Sequence, residues 1–276
     1  MTLVFDIGKT HTRLARIDDV GGGVPVITDR IEYDTPQDFN EAISKMVEGF
    51  KKLGMDSTTK ALCGSVPGKW NKETGVITYA PHLTGWVGNS FSKSLYAAGI
   101  DPSVALNIEN DAALAGLAET VHGAGVGKHI VAYMTVSTGI GGARIVDGKI
   151  DATHDGSEPG HQIVDWSTGA TLEDLASGRG IKDHHGNEIQ EIGDPQIRAE
   201  ITHVLAAGIH NMIVHWSPDI VVLGGPVVMV ERGVDLEVVK KYVGKSLGFG
   251  DVPEIVKSAL YPDAGLIGAA VYSKDK

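Results

Sequence analysis

Hydrophobic and polar positions along the chain follow two periods. Residues 3–5 form a short apolar run, Asp6-Ile7-Gly8-Lys9-Thr10 interrupts it, and residues 12–17 alternate afterwards. This is the pattern of strand, tight turn, strand. In residues 36–53, Phe39, Ile43, Met46, Val47 and Phe50 recur at helical spacing, which predicts a helix with one apolar face. Residues 60–66 read as a strand ending at Pro67-Gly68, 90–98 as a helix and 104–108 as a strand. Glu109-Asn110-Asp111 then leads into an alanine-rich helix over 112–119.

The pattern then starts again. Residues 130–136 are an apolar strand, Ser137-Thr138-Gly139-Ile140-Gly141-Gly142 interrupts it, and 143–146 continue. Asp147-Gly148 is a hairpin turn. A long helix is predicted over 196–216, a strand over 219–223 ending at Gly224-Gly225, and a helix of small residues over 264–272. Residues 182–194 lack periodicity and read as a surface loop. Strand, glycine turn and strand occur twice, each time followed by helices and further strands. Two similar α/β halves facing a cleft account for both.

Composition narrows the function. The chain has 276 residues, 42% of them hydrophobic, enough for a real core without disulfides. Its net charge of −11 repels phosphate backbones, so no nucleic-acid partner is expected. A lone cysteine, Cys63, excludes an intramolecular disulfide and fits a reducing cytoplasm. No apolar run reaches the ~18 residues of a membrane span, and no basic leader precedes Asp6. Glycine stands out at 36 residues, many beside Asp, Thr or Ser at the ends of apolar runs, where backbone approaches a ligand.

The two glycine turns are the first candidate chemistry. Backbone N–H groups around Gly8 can hold phosphate oxygens, Thr10 adds a hydroxyl, and Lys9 or Arg13 adds positive charge. Asp6 can hold a hydrated magnesium ion, which prefers carboxylates and keeps its waters. Three glycines in residues 137–142 disfavour a strand unless something approaches closely. Each turn alone also reads as an ordinary or bulged hairpin. Gly224-Gly225 can let a nucleoside lie on the backbone or can serve a tight turn, with Pro226 suited to a first helical turn. Asn110 and Asp111 read either as a helix N-cap or as a substrate ligand and a base for an attacking hydroxyl. Glu158-Pro159-Gly160-His161 and Glu173 supply acceptors for sugar hydroxyls. For Glu173 a solvated helix face is the competing reading, and His184-His185 reads as a solvated loop.

The motifs in this order resemble the ROK family (repressor, open reading frame, kinase) of bacterial sugar kinases. The resemblance runs through Asp6-Ile7-Gly8-Lys9-Thr10, Val66-Pro67-Gly68, Thr74-Gly75-Val76, Gly85-Trp86, Glu109-Asn110-Asp111-Ala112 and residues 137–142. It continues through Glu158-Pro159-Gly160-His161, Leu172-Glu173-Asp174-Leu175-Ala176-Ser177-Gly178, Val222-Leu223-Gly224-Gly225 and residues 265–270. It implies an α/β, actin-like (ribonuclease H-like) two-domain fold with internal duplication and an interdomain cleft. The small domain would be 1–110 plus 262–276 and the large domain 111–261. It implies ATP- and Mg²⁺-dependent phosphorylation of a hexose 6-hydroxyl, with glucose the expected sugar, by a cytoplasmic homodimer. Asp111 matches the family's catalytic base. Gly68, Asn110, Asp111, Glu158, His161 and Glu173 match sugar-side positions. Asp6, Gly8, Lys9, Thr10, Thr138, Gly139 and Gly225 match the nucleotide side, with Asp6 near the metal.

Three departures stand out. Lys9 replaces a usual glycine, which opens the choice between ATP and polyphosphate as donor. Residues 162–171 lack the cysteines of the zinc cluster that many relatives carry, so no structural zinc is expected. The stretch between Gly178 and Gln196 is shorter than usual. The alternatives are a kinase for N-acetylmannosamine, N-acetylglucosamine, mannose or fructose, or a non-catalytic sugar-sensing relative of the family's repressors. With the phosphate loop starting at Asp6, no DNA-binding module is expected upstream.

Overall fold

The computed structural model describes residues 2–18, 23–151, 156–248 and 250–274. The chain divides into two compact units, Met1–Ala118 with Gly265–Lys276, and Glu119–Ala264.

Unit 1 is built on a five-stranded sheet of β1 (Thr2–Ile7), β2 (His11–Asp18), β3 (Val26–Asp34), β4 (Ala61–Ser65) and β5 (Ala105–Ile108), in the order β3-β2-β1-β4-β5. The first three strands run antiparallel, and β4 and β5 run parallel to β1. Helix α1 (Phe39–Lys52) follows β3, α2 (Phe91–Ala97) precedes β5, and α3 (Asp111–His122) follows it. Asp38 caps α1 by accepting the Glu41 N–H at 2.8 Å. The apolar face read from the sequence is the buried face, through Phe39, Ile43, Met46, Val47 and Phe50. Phe50 meets Phe5 of β1 edge to face, and Phe39 meets Trp86 the same way. Leu266, Ala269 and Ala270 close a second buried cluster with Val4, Ala15, Cys63 and Leu114. They belong to α9 (Ala264–Tyr272), the helix of small residues.

Unit 2 repeats the plan. Its strands are β6 (Ile130–Val136), β7 (Ile140–Val146), β8 (Lys149–Ile150), β9 (Ile220–Gly224) and β10 (Glu254–Lys257), ordered β8-β7-β6-β9-β10. Again three strands are antiparallel and the last two parallel to the first. The duplication expected from pattern is therefore present in strand order and strand sense. Between β8 and β9 come α4 (Leu172–Ala176), α5 (Gly178–His185) and the long α6 (Pro195–Trp216); α7 (Pro226–Met229) and α8 (Leu236–Ser246) precede β10. Strand β9 is buried along its whole length and packs with Ile201, Leu205, Ile209 and Met212 of α6.

Two readings are corrected. Ile140, Gly141 and Gly142 lie in β7 and not in the turn, which is only Ser137–Gly139. Gly142 sits in the strand because a Cβ there would lie 2.6 Å from Pro159 Cγ. Residues 182–194 are not one loop: the first four finish α5, including His184 and His185, and Ile189–Glu191 form a short 3-10 turn. Ile189 and Ile192 are buried, but two positions are too few to register as a periodic face.

Candidate active site

In unit 1 the candidate residues gather at the carboxyl ends of the parallel strands, where open α/β sheets hold ligands. Asp6, next to last in β1, lies opposite Ser65 of β4, and Ser65 Oγ donates to Asp6 Oδ1 at 2.6 Å. Arg13, across the turn on β2, pairs with Asp6 Oδ2. The turn between them is pinned by the residue that follows β3: Thr35 Oγ1 donates to the Gly8 carbonyl at 2.8 Å, and the Thr35 N–H donates to the Thr10 carbonyl at 2.8 Å. Gly8, Lys9 and Thr10 are left exposed on this braced loop. A Cβ at Gly265, near the start of α9, would stand 3.7 Å from Asp6 Oδ2, so that glycine keeps the carboxylate accessible from that side.

Asn110 and Asp111 follow β5 on the same edge. Asn110 Oδ1 accepts the Ala113 N–H at 3.1 Å, so the capping reading holds for Asn110. Its amide nitrogen is the group available for a substrate. Asp111 is exposed in the first turn of α3, with Oδ1 accepting the Ala112 N–H at 2.8 Å. Gly68 sits at φ +82°, and a Cβ there would fall 1.8 Å from the Tyr79 carbonyl oxygen. Only glycine makes that turn without moving backbone.

In unit 2 the second glycine turn is bound to the α4–α5 junction. The Gly178 N–H donates to the Ser137 carbonyl at 2.7 Å and the Arg179 N–H to the Thr138 carbonyl at 3.2 Å. Glu173 lies beside the turn: Oε2 accepts the Ile140 N–H at 2.8 Å and Oε1 accepts from Arg179 at 2.9 Å. A Cβ at Gly139 would sit 2.5 Å from Glu173 Oε2, so glycine there makes room for the carboxylate. Gly225, at φ +86°, packs against the Val136 carbonyl at the end of β6, with Pro226 as the first helical residue of α7. Thr138, Gly139, Glu173 and Gly225 thus share one edge of unit 2.

Glu158 precedes a 3-10 turn, Pro159–His161, and His161 ends it. Pro159 and Gly160 are buried while Glu158 and His161 are exposed on either side. Glu158 also lines a pocket of about 360 Å³ with Gln162, Asn211, His215 and Trp216 of unit 2; His161 and Glu173 are not part of its wall. Thr171 caps α4 in a reciprocal box with Asp174. The Thr171 hydroxyl, and then its N–H, hold the Asp174 carboxyl below the usual carboxylate range, with smaller contributions from Arg179 and His161.

Magnesium needs oxygen donors and reluctantly gives up its waters. A single carboxylate with one oxygen toward Ser65 and one toward Arg13 fits such outer contact. Asp6 is the residue that would hold the hydrated ion. Sequence reasoning missed Ser65, Thr35, Arg179 and Gln162. Each acts through a partner 6 to 59 positions away, so no local pattern marks it.

Two repeats of one ribonuclease H-like unit, each with a glycine turn at the carboxyl edge of its central strands, define an actin-like architecture. The chain belongs to the ROK family, whose model matches residues 2–276. It is 28% identical over 251 residues to the glucokinase of Thermotoga maritima, covering 76% of this chain and 78% of that one. The fold superposes on the ROK hexokinase of Thermus thermophilus with a TM-score of 0.83 at 24% identity, over 100% of this chain and 99% of that one. A ROK family glucokinase from Streptomyces griseus, in complex with glucose and AMPPNP, gives 0.78 at 22% identity, over 100% and 99%.

Proposed function

We propose that this ROK-family sugar kinase transfers the γ-phosphoryl group of ATP to the 6-hydroxyl of glucose. One observation carries the reading. The braced phosphate turn at Asp6–Thr10 and the exposed carboxylate of Asp111 stand on the same carboxyl edge of the unit 1 sheet. Phosphoryl transfer is mostly positioning and charge stabilisation, and such an edge supplies both. Asp111 takes the proton of the attacking hydroxyl. Asn110, Glu158, His161 and Glu173 bind sugar hydroxyls, and Gly68 shapes the sugar-side loop. Gly8, Lys9, Thr10, Thr138, Gly139 and Gly225 hold the nucleotide. Bound magnesium near Asp6 neutralises phosphate charge. Glucose as acceptor is favoured by the relatives named for it.

The test is Mg²⁺-dependent turnover across a hexose panel with ATP and with polyphosphate, using Asp111→Asn as control. Loss of a positioned base lowers rate by ~10²–10⁴-fold. Glucose with ATP is expected to turn over fastest, and the variant to keep its glucose affinity while losing rate. Full turnover in the variant refutes the assignment of the base.

A further inference from the structure

We infer that Gln162 is a positioning residue for the sugar site, a polar clamp that fixes the Glu158–His161 turn on the long helix α6. The inference rests on the reading of Glu158 and His161 as sugar ligands. The turn has two sides. Toward β7 it is seated by close packing: Pro159 faces Gly142, and a Cβ at Gly160 would fall 2.3 Å from the Ile140 carbonyl oxygen. Toward α6, the hydrogen bonds run through Gln162. Its Nε2 donates to the Pro159 carbonyl at 2.8 Å and to the Gly208 carbonyl in the middle of α6 at 3.3 Å. Its Oε1 accepts from Asn211 Nδ2, one position short of a full turn further on, at 2.9 Å.

All the donors of this amide are therefore used, and Asn211 fixes which end donates. The backbone of Gln162 adds a third tie, because its carbonyl accepts the Leu172 N–H at 2.9 Å. Leu172 opens α4, which carries Glu173. One residue thus joins the turn with Glu158 and His161, the helix with Glu173, and the longest helix of the unit. Packing sets how close the turn lies to β7. The clamp sets where it lies along β7, which is what two exposed side chains need to meet fixed hydroxyls. A misplacement on the order of 1 Å in such a shell is enough to lose productive binding.

The test compares Gln162→Met, which keeps length and removes the amide, with Asn211→Ala, which removes only its orienting partner. Each variant is assayed with glucose, ATP and Mg²⁺, varying one substrate at a time. Gln162→Met is expected to raise the KM for glucose about tenfold, the equivalent of one to two neutral hydrogen bonds, with kcat and the KM for ATP within about twofold. Asn211→Ala moves the glucose KM in the same direction by about threefold, and the double variant is no worse than Gln162→Met. Asn211→Ala decides the matter if Gln162→Met does not fold. Glu158→Ala and His161→Ala are run alongside. If neither raises the glucose KM, the sugar-ligand reading falls and the clamp with it. If they do while both clamp variants leave the glucose KM unchanged, or raise the ATP KM equally, Gln162 has only a structural role and the clamp is refuted.

Discussion

Glu173 holds Ile140, the β7 residue that follows the second glycine turn, and the α5 arginine at once, and the two contacts differ in depth. The Ile140 N–H it accepts belongs to a residue that is 3% exposed. The Arg179 side chain is 40% exposed and that of Glu173 18%. A hydrogen bond to a charged group contributes about 1.5–3 kcal/mol, while an exposed ion pair contributes about 0–1 kcal/mol. Replacing Glu173 by Gln removes the charge and forces one amide end to face a donor. The turn proposed to hold phosphate then loses the buried anchor beside it. The ceiling on the loss is about 10- to 150-fold in kcat/KM for ATP, since about 1.4 kcal/mol is tenfold. Arg179→Ala sheds only the exposed pair and stays within about fivefold. Because a carboxylate has about four acceptor sites, Glu173 can brace the turn and still take a sugar hydroxyl. Glu173→Gln therefore raises the KM for both substrates. The assay is initial-rate kinetics with ATP and glucose varied separately, together with calorimetric ATP binding. Unchanged ATP affinity in Glu173→Gln, or an equal loss in Arg179→Ala, refutes the bracing role.

Four further outcomes are expected. Thr171→Ala removes the cap of α4 and destabilises by about 0.5–2 kcal/mol in urea unfolding. Its partner Asp174 has a depressed folded pKa, so the stability it contributes is present above its unfolded value near ~3.9 and is lost as pH falls through the folded one. An acid-side melting series should show a shallower decline for Asp174→Asn than for the parent chain. The Tyr33 hydroxyl is buried without a hydrogen-bond partner among the described residues, and burial pushes its phenol well above the usual range. Tyr33→Phe is expected to be neutral or stabilising by up to about 1 kcal/mol, and a clear loss in thermal unfolding would reveal a hidden partner. Gly88 and Gly68 share a left-handed backbone, but a Cβ at Gly88 meets open space. Gly88→Ala should cost about 1–2 kcal/mol and Gly68→Ala distinctly more, with equal losses contradicting the backbone clash at Tyr79.

What the sequence disclosed follows the range of each interaction. Helix α1 was legible because its buried face repeats every three to four residues, and β6 because seven residues form one apolar run. The turns at Asp6–Thr10 and Ser137–Gly139 were legible because their chemistry is contiguous. Strand β3 was not, because Val26–Asp34 is half exposed and carries Asp29, Arg30, Glu32 and Asp34 on an edge of the sheet. Gln162 was not, because its partners lie 46 and 49 positions away on α6. Spacing can propose a ligand set, but the groups that hold the set in place belong to the tertiary structure.

Glycine shows the same limit from the other side. The abundance of glycine at the ends of apolar runs pointed to ligands approaching the backbone, and Gly8, Gly139 and Gly225 do stand in turns at strand ends. Others answer to a different need. A Cβ at Gly49 would lie 2.4 Å from Leu14 Cδ1, one at Gly208 2.4 Å from Leu172 Cδ2, and one at Gly268 1.8 Å from the Leu114 carbonyl oxygen. These glycines let α1 meet β2, α6 meet α4 and α9 meet α3 at closer range than side chains permit. In a helix interior glycine costs about 1 kcal/mol relative to alanine, so its presence there signals a neighbour that offsets the loss. For Gly208 that neighbour opens the helix carrying Glu173, and its own carbonyl receives Gln162. Helix packing and the proposed sugar-side shell therefore meet at one residue. An alanine there would press on Leu172 and the clamp together, so the same close approach that stabilises unit 2 also sets the placement of the residues proposed to hold the sugar.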